Sequence, residues 1–242
     1  MKKVVITGAT SGIGRELAIQ LSQKGYLVGL IGRRTKRLEE LKNEIGELAY
    51  FKVLDVTDFE TAKKTYADLI EEMGGMDIMI LNAGVGRDSR KLNWPSDKQT
   101  IDVNVSAFSH GMNVAFQYFI DNKIAGQIVG MSSVASTLAS GRSAAYTASK
   151  HFISNYMTGF RQKANRMNLD IAITDIKPGF VESEMTENNK GMFWVATTEK
   201  AVAQMLKAIE ARKNHIYITK RWRLMAWTAK LIPQFVWDRL RF

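Results

Sequence analysis

Tyr146 and Lys150 stand four residues apart in a stretch of helical spacing, so one helix face would carry a phenol and an ammonium side by side. A phenol with a pKa near about 10 exchanges protons poorly at neutral pH, and an adjacent cation favours phenolate and lowers that value. Such a Tyr becomes a usable general acid and base. In a chain this rich in Lys the pair also arises by chance, so its meaning depends on what surrounds it. A second chemical feature lies near the start. The run Thr7-Gly8-Ala9-Thr10-Ser11-Gly12-Ile13-Gly14 follows an apolar stretch and opens a helical one. Its glycines leave room for a tight turn and for backbone N–H groups to approach a pyrophosphate at the positive end of a helix dipole. Gly8, Thr10, Ser11, Gly12, Ile13 and Gly14 are therefore candidate dinucleotide contacts. A plain strand-to-helix turn is the alternative. The third feature is Gly32-Arg33-Arg34, at the end of the next apolar run. An NAD-type site would have an acid here for the ribose hydroxyls. Two guanidiniums in its place suit the 2′-phosphate of NADP(H), with Arg33 the first candidate and Arg34 beside it. The alternative is a solvated basic helix start with Lys36 and Arg37.

These groups need a scaffold, and the sequence describes one. Val4–Ile6, Leu27–Ile31, Ala49–Leu54, Asp77–Leu81, Gln127–Met131, Ile171–Ile176 and Ile216–Ile218 read as strands. Segments around 13–24, 35–45, 58–73, 98–121, 143–166 and 199–212 have helical spacing. The alternation predicts an α/β protein, a single Rossmann-type doubly wound domain whose mostly parallel seven-stranded sheet is flanked by helices. Strands so continuously apolar must be covered on both faces.

Composition narrows the chemistry. The chain has 242 residues, 45% of them hydrophobic, with no Cys and three scattered His. Disulfides, cysteine nucleophiles and thiolate metal sites are excluded, and no metal ligand set is expected. No run approaches the roughly 18 apolar residues of a membrane span, and Gly8 cuts the first apolar run too early for a signal peptide, so a cytoplasmic protein beginning at Met1 is expected. The net charge is +10, and half of it, a local +5, lies between Lys220 and Phe242. That location, with no nucleic-acid motif present, argues against a nucleic-acid partner.

Taken in order, Thr7-Gly8-x3-Gly12-x-Gly14, Asp55-Val56, Asn82-Ala83-Gly84, Asn104, Ser132-Ser133, Tyr146-x3-Lys150 and Pro178-Gly179 resemble the classical short-chain dehydrogenases/reductases along nearly the whole chain, to about residue 219. The resemblance implies an NADP(H)-dependent oxidoreductase that moves hydride between nicotinamide and a carbonyl or secondary alcohol, with NADP(H) preferred over NAD(H). The usually reduced state of the cellular NADP pool favours reduction. It implies that Ser133 polarises the substrate oxygen, that Tyr146 handles the proton, that Lys150 also grips the nicotinamide ribose, and that Asn104 holds a relay water. Asp55 and Val56 would flank the adenine, Asn82, Ala83 and Gly84 would pass the adenine-side ribose, and Pro178, Gly179, Val181 and Ser183 would hold the carboxamide. For Ser132 a structural role at the strand end is favoured. A homodimer or homotetramer pairing through about 98–121 and 143–166 is also implied. A sensor or scaffold that binds NADP(H) without turnover is the alternative.

Substrate choice is expected in the loops 85–100 and 184–195. Met185, Met192, Phe193 and Trp194 either line an apolar pocket for an acyl chain, steroid or other hydrophobic carbonyl, or pack the loop onto the domain. Residues 220–242 form an extension beyond the family core, with three of the five Trp. Two short helices broken at Pro233, rich in Trp, Arg and Lys, suit either peripheral contact with the inner face of a membrane through 221–242 or packing against the protein's own body or a partner subunit.

Overall fold

All seven apolar runs are strands, and all are parallel. In the computed structural model, which describes residues 1–86, 91–187, 192–229 and 231–239, the strands are β1 (Lys3–Thr7), β2 (Leu27–Gly32), β3 (Ala49–Val53), β4 (Ile78–Leu81), β5 (Gly126–Met131), β6 (Ile171–Pro178) and β7 (His215–Ile218). Their order across the sheet is β3-β2-β1-β4-β5-β6-β7. The chain turns back between β1 and β4, where Ile6 pairs with Leu30 on one side and Ile80 on the other. In such sheets a crevice opens beyond the carboxyl ends of the strands at this reversal.

Helices cover both faces, and alternate strand residues supply the two cores. Val4 and Ile6 face a cluster with Leu17 and Leu21 of α1 (Gly12–Gln23), Leu38 and Leu41 of α2 (Thr35–Ile45) and Val202 and Met205 further on. Val5 faces Tyr66 and Leu69 of α3 (Phe59–Glu72) and Met112, Phe116 and Phe119 further on. Local signals start the helices. Asp58 caps α3 through Thr61 N–H at 3.2 Å. Asn93 caps α4 (Trp94–Ile101) through Ser96 N–H at 3.1 Å, with Pro95 in the first turn, so this helix begins before the expected residue 98.

The expected continuous helix 98–121 is also interrupted. Residues 102–107 form a π-turn between α4 and α5 (Phe108–Asp121). The extra residue in that turn rotates Asn104 inward, where it is fully buried. A long α6 (Ala144–Arg166) carries Tyr146 and Lys150, and α7 (Thr198–Glu210) closes the first face. Phe108, Met112, Phe116, Phe119 and Phe160 are core residues, while Phe152 stacks on Tyr156 at 5.1 Å nearer the surface.

Beyond β7 the chain continues as α8 (Arg221–Ala229), then Pro233 and α9 (Gln234–Trp237). Trp222, Ala226 and Ala229 turn inward, and Trp222 and Ala226 pack with Tyr217, Val134 and Phe180. Leu224, Trp227, Leu231 and Phe235 face outward. Among the described residues no helix is long and apolar enough to cross a membrane, and no group of three or more His, Cys, Asp or Glu could hold a metal.

Candidate active site

One cleft of about 430 Å³ runs along the carboxyl ends of the strands. All the candidate residues from Gly8 to Ser183 line it except Asn104, which lies behind it. Gly32, Leu54, Val85, Val103, Met131, Ser132, Glu184, Met185 and Thr186 join them.

At one end the glycine loop is clamped to β4. Asn82 Nδ2 donates to Thr7 O and Gly8 O at 3.1 Å each, and Thr7 Oγ1 accepts from Asn82 N and Ala83 N at 3.1 Å. A Cβ on Gly14 would lie 2.2 Å from Gly8 O, so only glycine lets α1 start this close to the strand. Gly12 has φ +51°, and a Cβ there would stand 3.2 Å from Ser183 Cβ across the cleft. The backbone cradle that an extended phosphate diester needs is present and free of side chains, so the residues fit a dinucleotide.

The two guanidiniums at the end of β2 are placed differently from each other. Arg33 reaches along the cleft lining to Asp55 at 3.3 Å, and the carboxyl of Asp55 lies below its usual range because bonds from Thr57 and Arg33 outweigh the effect of burial. Arg34 turns in. Its Nε and Nη2 donate to Thr10 Oγ1 at 3.1 and 2.8 Å, its Nη2 donates to Ser11 Oγ at 2.6 Å, and its Nη1 pairs with Glu184 at 2.9 Å. Arg34, rather than the first-choice Arg33, thus stands at the glycine loop. Glu184 also pairs with Arg37, and the two arginines hold its carboxyl at about 2. Neither Glu184 nor Arg37 was a sequence candidate for this end of the cleft.

At the other end, α6 brings Tyr146 and Lys150 to the floor. Lys150 Nζ lies 5.5 Å from the Tyr146 ring centroid and donates to Met131 O at 2.8 Å. Backbone crosses close by: a Cβ on Gly86 would fall 2.4 Å from the Tyr146 ring, and one on Gly84 3.5 Å from Lys150 Nζ. Ser133 caps the short 3₁₀ turn Val134–Thr137, accepting from Ala135 N at 3.1 Å and donating to Pro178 O at 3.2 Å. Asn104 grips the strand-end backbone, accepting from Val85 N at 2.9 Å and donating to Val85 O at 2.7 Å and Ser149 Oγ at 3.0 Å. Ser149 in turn donates to Tyr146 O at 2.7 Å.

The electrostatics correct one expectation. Burial pushes the Tyr146 phenol up from its ordinary value, and the Ser133 hydroxyl pulls it down less strongly. Burial lowers Lys150 to about 8, against the pull of Asp175. The net direction is upward, opposite to the expected lowering, because burial dominates, although Lys150 Nζ lies over the ring while it donates to Met131 O.

Ser132 has a structural partner, Asp175. Asp175 also accepts from Ser154 Oγ at 2.7 Å and pairs with Lys177 at 2.8 Å, so a buried ion pair lies within a strand expected to be apolar. Of the expected substrate loops, residues 87–90 and 188–191 lie outside the described residues. Met185 lines the cleft, whereas Phe193 and Trp194 pack on Trp222, at 5.1 and 5.4 Å between ring centroids. Trp222, from the extension, fits against the backbone of Gly179: a Cβ there would lie 2.1 Å from its Nε1.

Comparison with known proteins agrees with this architecture. Residues 2–193 match the family model described as short chain dehydrogenase. An oxidoreductase of Myxococcus xanthus, named as uncharacterized, is 33% identical over 98% of this chain and 95% of its own. A short chain dehydrogenase/reductase from Burkholderia phymatum, solved in complex with NAD, superposes with a TM-score of 0.85 at 19% identity over 93% of this chain and 92% of its own. An alcohol dehydrogenase from the archaeon Thermococcus sibiricus, complexed with 5-hydroxy-NADP, gives 0.79 at 22% identity over 90% and 95%.

Proposed function

The chain belongs to the short-chain dehydrogenase/reductase family, an oxidoreductase family acting on CH–OH and C=O groups, and we propose that this member is an NADP(H)-dependent reductase of hydrophobic ketones or aldehydes. The observation that carries the reading is the composition of the two ends of one cleft. Arg34 stands at the glycine loop at one end, and Tyr146, Ser133 and Lys150 converge at the other.

Gly8, Gly12 and Gly14 admit the pyrophosphate to the start of α1. Arg34, with Arg33 beside it, receives the 2′-phosphate through its planar fork of donors. Val56 and Asp55 would flank the adenine, and Val181 and Ser183 would receive the carboxamide, all four lining the cleft. When bound, the nicotinamide would supply hydride to the carbonyl carbon. On the protein side, Ser133 orients the carbonyl oxygen and Tyr146 delivers a proton to it. Burial raises the phenol pKa and so works against proton release, which makes Tyr146 depend on the neighbouring cation to act as the acid. Lys150, anchored on Met131 O, holds the ribose hydroxyls and favours the phenolate left after transfer. Asn104 fixes Val85 and, through Ser149, the backbone of Tyr146, which sets the position of the phenol. Met185 supplies apolar wall for the substrate.

The protein acts in the cytoplasm as a homodimer or homotetramer, with the outward face of α8 in peripheral contact with anionic membrane. Leu224, Trp227, Leu231 and Phe235, with Arg221, Arg223 and Arg239 among them, support that contact.

Parallel calorimetric titrations with NADPH and NADH test the cofactor assignment. Tighter NADPH binding that collapses in Arg34→Asp supports it, and equal binding of both refutes it. In a screen of apolar ketones and aldehydes, Tyr146→Phe should lose nearly all turnover while binding NADPH normally. A wild-type protein that binds NADPH and turns over no carbonyl would instead be a sensor.

A further inference from the structure

Glu184 belongs to the segment at the nicotinamide end of the cleft, yet its carboxylate reaches the opposite end. It directly follows Ser183, in a turn held by Thr186, whose Oγ1 accepts from Ser183 N at 3.1 Å and donates to Val181 O at 2.7 Å. From there it bridges Arg34 Nη1 and Arg37 Nη1. Every nitrogen of the Arg34 guanidinium is then engaged: Nε and Nη2 with Thr10 and Ser11, Nη1 with Glu184. The two arginines keep the carboxylate ionised down to about pH 2.

Two features separate this pairing from a fixed structural ion pair. The turn that carries Glu184 is held by Thr186 and does not depend on the carboxylate. The three side chains are also 42%, 43% and 50% exposed, so water screens the pairs and each contributes little. An exposed carboxylate between two guanidiniums is bound firmly enough to occupy them and weakly enough to be displaced by a phosphate, which carries more charge and more acceptor oxygens.

Resting on the NADP(H) reading, we infer that Glu184 is a selectivity residue: its carboxylate occupies the Arg34–Arg37 pair in the absence of nucleotide and exchanges with the 2′-phosphate when NADP(H) binds. Arg37 becomes a second phosphate partner once released. A dinucleotide with a free 2′-hydroxyl has no anion to offer there, so the carboxylate stays in place and the pair contributes nothing to its affinity. The preference for NADP(H) is therefore expected to be smaller than the two arginines alone would give.

The test is calorimetric titration of the full-length wild type and Glu184→Gln with NADPH, NADH, 2′-AMP and 5′-AMP. Removing the competing charge should tighten NADPH and 2′-AMP by about three- to tenfold, the range expected for one or two screened pairs, and leave NADH and 5′-AMP within about twofold. Unchanged or weaker NADPH binding would overturn the exchange, as would an equal gain for NADH, which would mean only a less acidic cleft. Failure of the NADP(H) reading itself appears separately, in the wild type, as NADH binding as tightly as NADPH and 2′-AMP no better than 5′-AMP.

Discussion

The indole of Trp222 fills the space that a side chain at residue 179 would need, with Nε1 2.1 Å from where a Gly179 Cβ would stand. Trp222 is 2% exposed and touches Phe180, Phe193 and Trp194, so the extension after β7 backs both the Pro178-Gly179 turn and the loop beyond it. Trp222→Ala should cost about 3–5 kcal/mol in urea unfolding, as expected for a large buried aromatic. It should also raise KM for an apolar carbonyl more than KM for NADPH, because the loop carrying Phe193 and Trp194 loses its backing. Gly179→Ala should cost stability for the reciprocal reason. A fully stable Trp222→Ala would mean that the extension is dispensable to the domain.

Lys150 gives stability and activity opposite dependences on pH. Burial lowers its pKa from 10.5 to about 8. Between those values the unfolded chain holds a proton on residue 150 that the native protein has released, so native stability rises with pH across that window. On the proposed mechanism the ammonium assists reduction, so kcat/KM should fall as pH rises through about 8. Lys150→Met should flatten the stability gain, read by urea midpoints from pH 7.5 to 10.5. An activity profile with no group titrating near 8 would remove the assigned role of the ammonium.

The pair Asp175–Lys177 is 2% and 9% exposed by side chain, with a 2.8 Å contact. Removing one partner leaves a buried charge without its counterpart, which costs about 3–5 kcal/mol, whereas removing both can be nearly neutral. Lys177→Met alone should therefore unfold at much lower urea, and Asp175→Asn with Lys177→Met should recover most of the loss. Additive losses in the double variant would show that the surrounding hydroxyls, not the pair, hold the strand.

The strands were legible because each is an apolar run, buried on both faces in β2, β4, β5 and nearly all of β1 and β6, and the glycine loop because its geometry excludes side chains at Gly14. The Tyr146–Lys150 spacing also placed both groups on one floor. What periodicity could not carry was the π-turn at 102–107, since one added residue changes no composition but turns Asn104 inward. Long-range pairs were equally hidden. Arg34 and Glu184 lie 150 positions apart, and an exposed Glu after a strand looks like any surface acid. Asp175 and Lys177 were passed over because the apolar residues around them dominate the strand, and only the fold shows that the two side chains meet. The phenol's pKa went the other way because spacing fixes which residues share a face, not how deeply the fold buries them.

The outward face of α8 separates surface chemistry from folding. Trp222, Ala226 and Ala229 are buried, whereas Leu224 and Trp227 are 67% and 57% exposed, with Arg223 stacked over Trp227 at 5.1 Å. Apolar side chains flanked by guanidiniums match an anionic interface, where rings enter the acyl boundary and cations meet phosphates. Leu224→Glu with Trp227→Glu should leave the urea midpoint nearly unchanged, since both positions face solvent. The same variant should lose co-sedimentation with phosphatidylglycerol vesicles, while the wild type pellets at low salt and less so at high salt. Wild-type protein remaining in the supernatant at low salt would refute membrane contact. Sedimentation velocity on both proteins would then show whether a second copy covers this face.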